Sequence, residues 1–297
     1  MTSAGGDRAA LVALLRRTGI GLPGTAERIE LEGPAAVLAA ALGAGSSLLP
    51  EDPTPLVAAA EREIEGWAAR GLRLVTVLDS DYPENLRLVH DRPTALLVAG
   101  DATLLREHRA IAVVGSRRPS PEGRARAAAI ASALTAAGHT VVSGLAVGID
   151  TTAHEAALAA GGRTIAVIGS GHDHAFPPGN ADLQARLART QMVLSPFWPE
   201  APPHADQFRY RNGVMSGLAL GTVIVEASVR SGTRVQARLA LGHGRPVFLA
   251  RALLAQPWAA ALAARPGVHV IETAADVLGV TAGLNDPGPL TGPVSTS

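Results

Sequence analysis

The 297-residue chain contains no cysteine and no lysine; all 26 of its basic residues are arginine. Without cysteine it has no disulfide, no thiolate metal site and no thiol nucleophile. Without lysine it can form no Schiff base and has no Walker-type lysine for nucleotide phosphates. Aromatic residues are scarce: four Phe, three Trp and two Tyr. No run of 18 apolar residues occurs, so no membrane span is expected. The opening MTSAGGDRAA lacks a basic start followed by an apolar core, so it does not read as a secretory signal. A cytoplasmic protein with a sizeable core is expected.

The formal net charge of zero hides an uneven distribution. Residues 1–100 carry 9 Arg against 13 Asp and Glu, whereas residues 101–251 carry 16 against 10. A basic middle between acidic flanks hints at an anionic partner, although a solvated surface fluctuates by as much.

Residues 8–42 read as short helices, and Gly19-Ile20-Gly21 stands between two of them. That turn resembles a helix-hairpin-helix, whose amides can hold a phosphate; an ordinary glycine helix ending is the plainer reading. GAGSSLLPEDPTP, residues 43–55, reads as a linker closing a small helical unit over residues 1–55. A helix over 56–70 and a strand in LRLVTVLD follow. From residue 111 apolar strands at 111–114, 140–143, 164–168, 192–195, 222–226 and 246–250 alternate with helical runs at 123–137, 151–160, 181–189 and 233–242. Short apolar runs bounded by glycine fit buried parallel strands with helical crossovers, which is a doubly wound α/β domain over 56–281. GLNDPGPLTGPVSTS reads as a disordered tail, residues 282–297 with the alanine before it.

Ligands of such a sheet lie beyond the carboxyl ends of its strands. The loops there hold Gly115, Ser116, Arg117 and Arg118; Ser143, Gly144, Gly148 and Asp150; Arg209, Arg211 and Asn212; and Glu226, Ser231, Gly232 and Thr233. Glycine and serine let amides and hydroxyls approach an anion. Arginines 117, 209, 211, 230 and 234 add forked donors suited to phosphate oxygens. Five of the nine aromatics fall between residues 176 and 210. Phe176, Phe208 and Tyr210 are the base-stacking candidates among them, against the alternative that they plug loops into the core.

VVGSRRPS, VVSGLAVGIDTTAHEAALAAGGRTIAVIGSG, FPPGN and FRYRNGVMSGLALGTVIVEASVRSGTRVQARLALGHGRPVF, in that order, resemble the DNA-processing protein A (DprA/Smf) family. The likeness runs over roughly residues 73–250 and implies an extended Rossmann-like domain behind a small helical one. It implies a single-stranded DNA-binding recombination mediator that loads RecA, in transformation among other settings, acts without catalysis or cofactor, and forms a homodimer. By that resemblance Gly115, Ser116 and Arg117 form a phosphate-binding turn beside the loop of Ser143, Gly144, Gly148 and Asp150. Arg211 and Asn212 form a basic loop, and Ser231, Gly232 and Thr233 a further turn. The sequence departs from the family pattern where Gly213 replaces a second arginine and where Pro196 follows Ser195. It departs again in FLARALLAQPWAAAL, and a C-terminal winged helix, carried by many members, is not expected from the stretch that follows.

Three constellations could suggest an enzyme. His172-Asp173-His174 sits on a glycine loop without a third ligand in sequence, so no metal site is expected. Asp150 and His154 sit four apart at a helix start, where Asp reads better as a cap. Glu226, with Asp150 as an acid–base partner, would suit a nucleotide phosphoribohydrolase or a nucleotide sensor in the same pocket. Binding is the preferred reading because Arg234-Val235-Gln236 follow the Ser-Gly-Thr turn, with no second carboxylate there.

Overall fold

The computed structural model describes residues 4–21, 24–43, 51–228 and 231–284. Arg230, most of the expected linker and the tail beyond residue 284 lie outside the described residues.

The winding begins at β3 (Ala110–Val114), in which every residue is buried. Its side chains alternate between two apolar clusters: Ile111 and Val113 on one face, Ala110, Ala112 and Val114 on the other. A strand covered on both faces needs helices on both, and the sequence supplies them at each crossover. Before it come α1 (Ala4–Thr18), α2 (Thr25–Glu32), α3 (Pro34–Gly43), α4 (Thr54–Ala69), β1 (Leu72–Thr76), the short α5 (Glu84–Arg87) and β2 (Ala95–Gly100). After it come α6 (Pro121–Ala136), β4 (Thr140–Ser143), α7 (Ile149–Ala159), β5 (Thr164–Val167), α8 (Ala181–Thr190) and β6 (Met192–Ser195). The chain continues through α9 (Ala205–Leu218), β7 (Gly221–Ile224), α10 (Thr233–Gly242) and β8 (Val247–Ala250). It closes on α11 (Pro257–Ala263), β9 (Val268–Ile271) and α12 (Ala274–Ala282).

The described strands form one sheet in the order β1-β2-β6-β5-β4-β3-β7-β8-β9. From β6 through β9 every pairing is parallel; β1–β2 and β2–β6 are antiparallel. Strands after β3 first step outward through β4, β5 and β6, and the chain then returns to place β7 on the other side of β3. The switch point therefore lies between β3 and β7, where a doubly wound sheet opens a crevice. Helices α6, α7 and α12 cover one face. On the other face, buried residues of α9 and α10 join a cluster that continues through β1 and β2 into α4 and α1.

The strands expected from residue 111 onward appear within about a residue or two of their forecast limits, the scatter usual at element ends. The segment after β6 differs. The stretch ADQFRYRNG, read as loop, lies in helix α9, started by His204, whose ring accepts from the Asp206 amide while Gln207 accepts from the His204 amide. β2 and β9 were not foreseen, because a four- to six-residue apolar run carries little periodicity of its own.

At Gly19–Gly21 the chain makes the plainer of the two turns considered, a glycine helix ending. The Gly19 amide donates to the Leu15 carbonyl at 2.9 Å, and both glycines have positive φ. Its far side carries the Tyr210 ring, which packs against Gly21. Arg16 on α1 ties this end of the helices to the sheet: it pairs with Glu63 and Glu200, and its guanidinium lies 4.6 Å from the Trp198 ring. Trp198 stacks on Trp67 with centroids 5.3 Å apart.

Candidate functional site

At the switch point a cavity of about 690 Å³ opens, walled by four segments: Val114 to Arg118, Ala146 with Asp150, the α9 face, and Ser228 with Ser231 to Gln236. It brings together Gly115, Ser116, Arg117, Arg118, Asp150, Phe208, Arg211, Asn212, Ser231, Gly232 and Thr233, which are far apart in sequence. A smaller space beside it is lined by Arg117, Gly144, Val147, Phe176, Phe208 and Arg211 among others.

The first wall is a turn built to present side chains outward. The Ser116 amide donates to the Glu226 carbonyl at 2.6 Å, and the Ser116 hydroxyl oxygen accepts from the Arg118 amide at 3.1 Å. Pro119 is buried, whereas Arg117 and Arg118 are both exposed. Neither is paired with a carboxylate among the described residues. Two uncommitted guanidiniums on the rim of a cleft suit phosphate oxygens.

Beneath them the loop after β4 is rigid. Gly148 has φ +91 and packs so tightly on the Ser116 carbonyl that any side chain there would collide with it. Leu145, fully buried, also has positive φ (57). Such a conformation costs about 1–3 kcal/mol for a non-glycine residue and persists only where its surroundings hold it. Asn180, from the FPPGN stretch, does so: its amide donates to the Leu145 carbonyl at 2.8 Å and to the Thr151 hydroxyl at 2.9 Å. Asp150 closes the same loop by accepting from the Gly144 and Ala146 amides. Burial pushes the Asp150 carboxyl up, opposed by Arg211 and by the amides of Ala146, Gly144 and Gly115. Ser143 is buried, donating to the Val113 carbonyl at 2.6 Å, and does not line the cavity.

Helix geometry sorts the third wall. Phe208, Arg211, Asn212 and Met215 follow i, i+3, i+4, i+7 and share the face toward the cavity. Arg209, one residue beyond Phe208, is turned by about 100° and is exposed outside the lining. Tyr210 is turned the other way, against Gly21 and the Phe197 ring at 5.8 Å. These two residues, expected among the loop contacts, are placed apart from them because the segment is a helix. Arg211 is buried: its Nη1 donates to the carbonyls of Gly144 and Val167, and its Nε to the Asn212 side chain. Its guanidinium stands 5.8 Å from the Phe208 ring. Burial pushes this guanidinium down and Asp150 opposes that; arginine keeps its charge throughout. Phe176 is 37% exposed at the lip of the smaller space, 5.3 Å from Phe208 between centroids.

The last wall is the start of α10, where Ser231, Gly232 and Thr233 stand at the amino end of a ten-residue helix. One residue here escaped the sequence reading. Gln236 is 1% exposed and lines the cavity, and neither its amide nitrogen nor its amide oxygen has a partner among the described residues. A buried unpartnered amide is costly, which points to a ligand. Only its spacing of three after Thr233 could have suggested it.

The residues of the enzyme readings are otherwise engaged. Glu226 accepts from the amide and hydroxyl of Ser120, the residue that caps α6, and does not line the cavity. His154 turns from Asp150 to the Thr164 hydroxyl at 2.7 Å. His172 contacts the Leu97 carbonyl, His174 the Glu200 carbonyl, and Asp173 pairs with Arg70.

A doubly wound sheet with a switch-point cleft rimmed by arginines and glycine turns places the chain in the Rossmann-like class. It belongs to the DNA recombination-mediator protein A family, whose model matches residues 73–279. The chain is 35% identical over 198 residues to the DNA processing protein DprA of Bacillus subtilis, covering 67% of each chain. It is 40% identical over 173 residues to that of Streptococcus pneumoniae, covering 58% of this chain and 61% of the relative. The X-ray structure of DprA from Streptococcus pneumoniae matches 93% of this chain and 95% of its own with a TM-score of 0.71 at 28% identity. A Helicobacter pylori DprA structure, described for its single-stranded DNA binding mode, matches 71% of this chain and 96% of its own with a TM-score of 0.59 at 25% identity. Among the described residues no helix is long and apolar enough to cross a membrane.

Proposed function

We propose that the chain is a single-stranded DNA-binding recombination mediator and that the switch-point cleft is where the strand lies. Phosphates meet Arg117, Arg118 and the Ser231-Gly232-Thr233 turn, and a base stacks on Phe176 at the lip. Gly144, Gly148 and Arg211 hold these groups in place. The observation that carries this reading is the pair of exposed, carboxylate-free arginines on the rim of a cleft with the amino end of α10 on its far side. A long polyanion needs such a rim, whereas an enclosed dinucleotide does not. The Helicobacter pylori relative, described as binding single-stranded DNA, supports the same reading.

The protein acts without catalysis in this reading, since Asp150 and Glu226 are both committed to loop amides and a helix cap. It works in the cytoplasm as a homodimer and hands its strand to a RecA-type recombinase. Fluorescence anisotropy with labelled oligo-dT, competed by mononucleotides across a salt series, tests the proposal. Tight, salt-sensitive oligo-dT binding is expected. Preference for a mononucleotide, or for duplex over single strand, would overturn it.

A further inference from the structure

Behind the cleft, at the other end of α10, a second polar cluster has no part in the reading above. His90 and Asp91 lie in the turn between α5 and β2, and His243 caps the carboxyl end of α10. One ligand atom from each falls within 4.8 Å of the others. The His243 Nε2 stands 2.7 Å from an Asp91 carboxylate oxygen, and the His90 and His243 rings meet edge to face with centroids 5.8 Å apart.

The hydrogen bonds behind His243 allow it a metal-binding form. The Ser216 hydroxyl lies 3.0 Å from the Gly213 carbonyl and 2.9 Å from His243 Nδ1. With the hydroxyl proton on Gly213, Nδ1–H donates to Ser216; with it on Nδ1, Nε2–H donates to Asp91. In the first form the Nε2 lone pair faces the carboxylate, and a second proton or a metal ion joins the two. An Nδ1–H held by an oxygen acceptor is the outer-shell arrangement that orients a metal-binding histidine. The serine, histidine and aspartate together have the order of a hydrolytic triad. Ser216 is fully buried, so no substrate carbonyl can reach it.

Two further features favour a cation. The carboxyl end of a helix carries partial negative charge. Gly213 brings no side chain over the Asp91 carboxylate, whose other oxygen lies 3.7 Å from where a Cβ would stand. An arginine there, as the family resemblance would have it, would bring its own charge toward Asp91; glycine leaves the carboxylate to the histidines.

We infer that His90, Asp91 and His243 form a binding site for a zinc-class divalent transition metal, with water completing its coordination. Two imidazoles and a carboxylate suit zinc and its first-row neighbours, whereas magnesium and calcium take oxygen donors. In a tetrahedral site with bonds of about 2.0–2.1 Å, ligand atoms stand about 3.3 Å apart. The exposed Asp91 and His90 side chains need only spread slightly to accept the ion. The bound ion would fasten the α5–β2 turn to α10, whose first turn lies about 15 Å away at the cleft.

The test uses the full chain, freed of metal with a chelator and carrying no histidine tag. Cobalt(II) is titrated while the visible d–d bands of a low-coordinate ion are followed, zinc is added in competition, and melting is measured with zinc and with chelator. The expected result is about one ion per chain, displaced by zinc, with a higher melting temperature when zinc is bound. Asp91→Asn and His90→Ala, both at exposed positions, should each weaken binding by more than about tenfold. Their melting in chelator should stay at the wild-type value. Absence of cobalt and zinc binding, or binding that survives undiminished in both variants, would overturn the site. Neither outcome depends on DNA.

Discussion

The Arg211 guanidinium lies against Gly144 and donates from Nη1 to the Gly144 carbonyl at 2.5 Å and to the Val167 carbonyl at 2.7 Å. It thereby locks α9 onto the ends of β4 and β5 and sets the back wall of the cleft. A Cβ on Gly144 would run into that guanidinium. Gly144→Ala should therefore displace a buried charge and lose its two carbonyl bonds, each costing about 1–3 kcal/mol when left unmade. Denaturant unfolding should show the loss of stability, and anisotropy a parallel loss of oligo-dT affinity. Unchanged stability would contradict the locking role.

Arg117 and Arg118 extend from a turn whose shape depends on Gly115, Ser116 and Pro119 rather than on them. Arg117→Ala should leave the melting temperature within error and weaken oligonucleotide binding alike for all sequences. The salt dependence should fall by about 0.7 log units per log of salt for the lost phosphate contact. A change in sequence preference with an intact salt slope would remove Arg117 from the phosphates.

Gln236 separates stability from binding. Its buried amide has no partner among the described residues, so Gln236→Leu should leave stability unchanged or raise it. The same substitution should weaken DNA binding if the amide meets the ligand. Thermal melting and anisotropy on one preparation decide this, and a destabilised variant with full affinity would show the amide to be structural.

Phe176 is exposed at the lip and Phe208 lies behind it, under Arg211. Phe176→Ala should cost about 1–3 kcal/mol of binding through lost base stacking, with little change in melting. Phe208→Ala should cost stability as well. Equal effects of the two on stability would mean that Phe176 is a packing residue.

His154 gives the fold a pH dependence. Burial pushes its imidazole down from the ordinary 6.5 to about 3, with Arg211 adding to the effect. The unfolded chain takes up a proton below pH 6.5 while the folded one does not. Stability is therefore full above about pH 6.5 and declines as pH falls toward 3, by at most about 1.4 kcal/mol per pH unit. Burial shifts His172 in the same direction. Melting from pH 7.5 to 5 should show the decline, and His154→Asn should flatten it.

The alternation of apolar strands and helices from residue 111 determined the doubly wound sheet, because buried parallel strands must be apolar on both faces and must be joined by crossovers. The same reading pointed to the strand-end loops, since that topology leaves only those ends open to a ligand. Other features were settled only by tertiary structure. FRYRNG became part of a helix, so that Phe208, Arg211 and Asn212 turn inward while Arg209 and Tyr210 turn away. Gln236 is left without a partner among the described residues only once α10 is packed beside the cleft. His243 met Asp91 across 152 residues of chain. Local pattern fixes which face of an element is buried; which distant groups that burial brings together depends on how the faces pack.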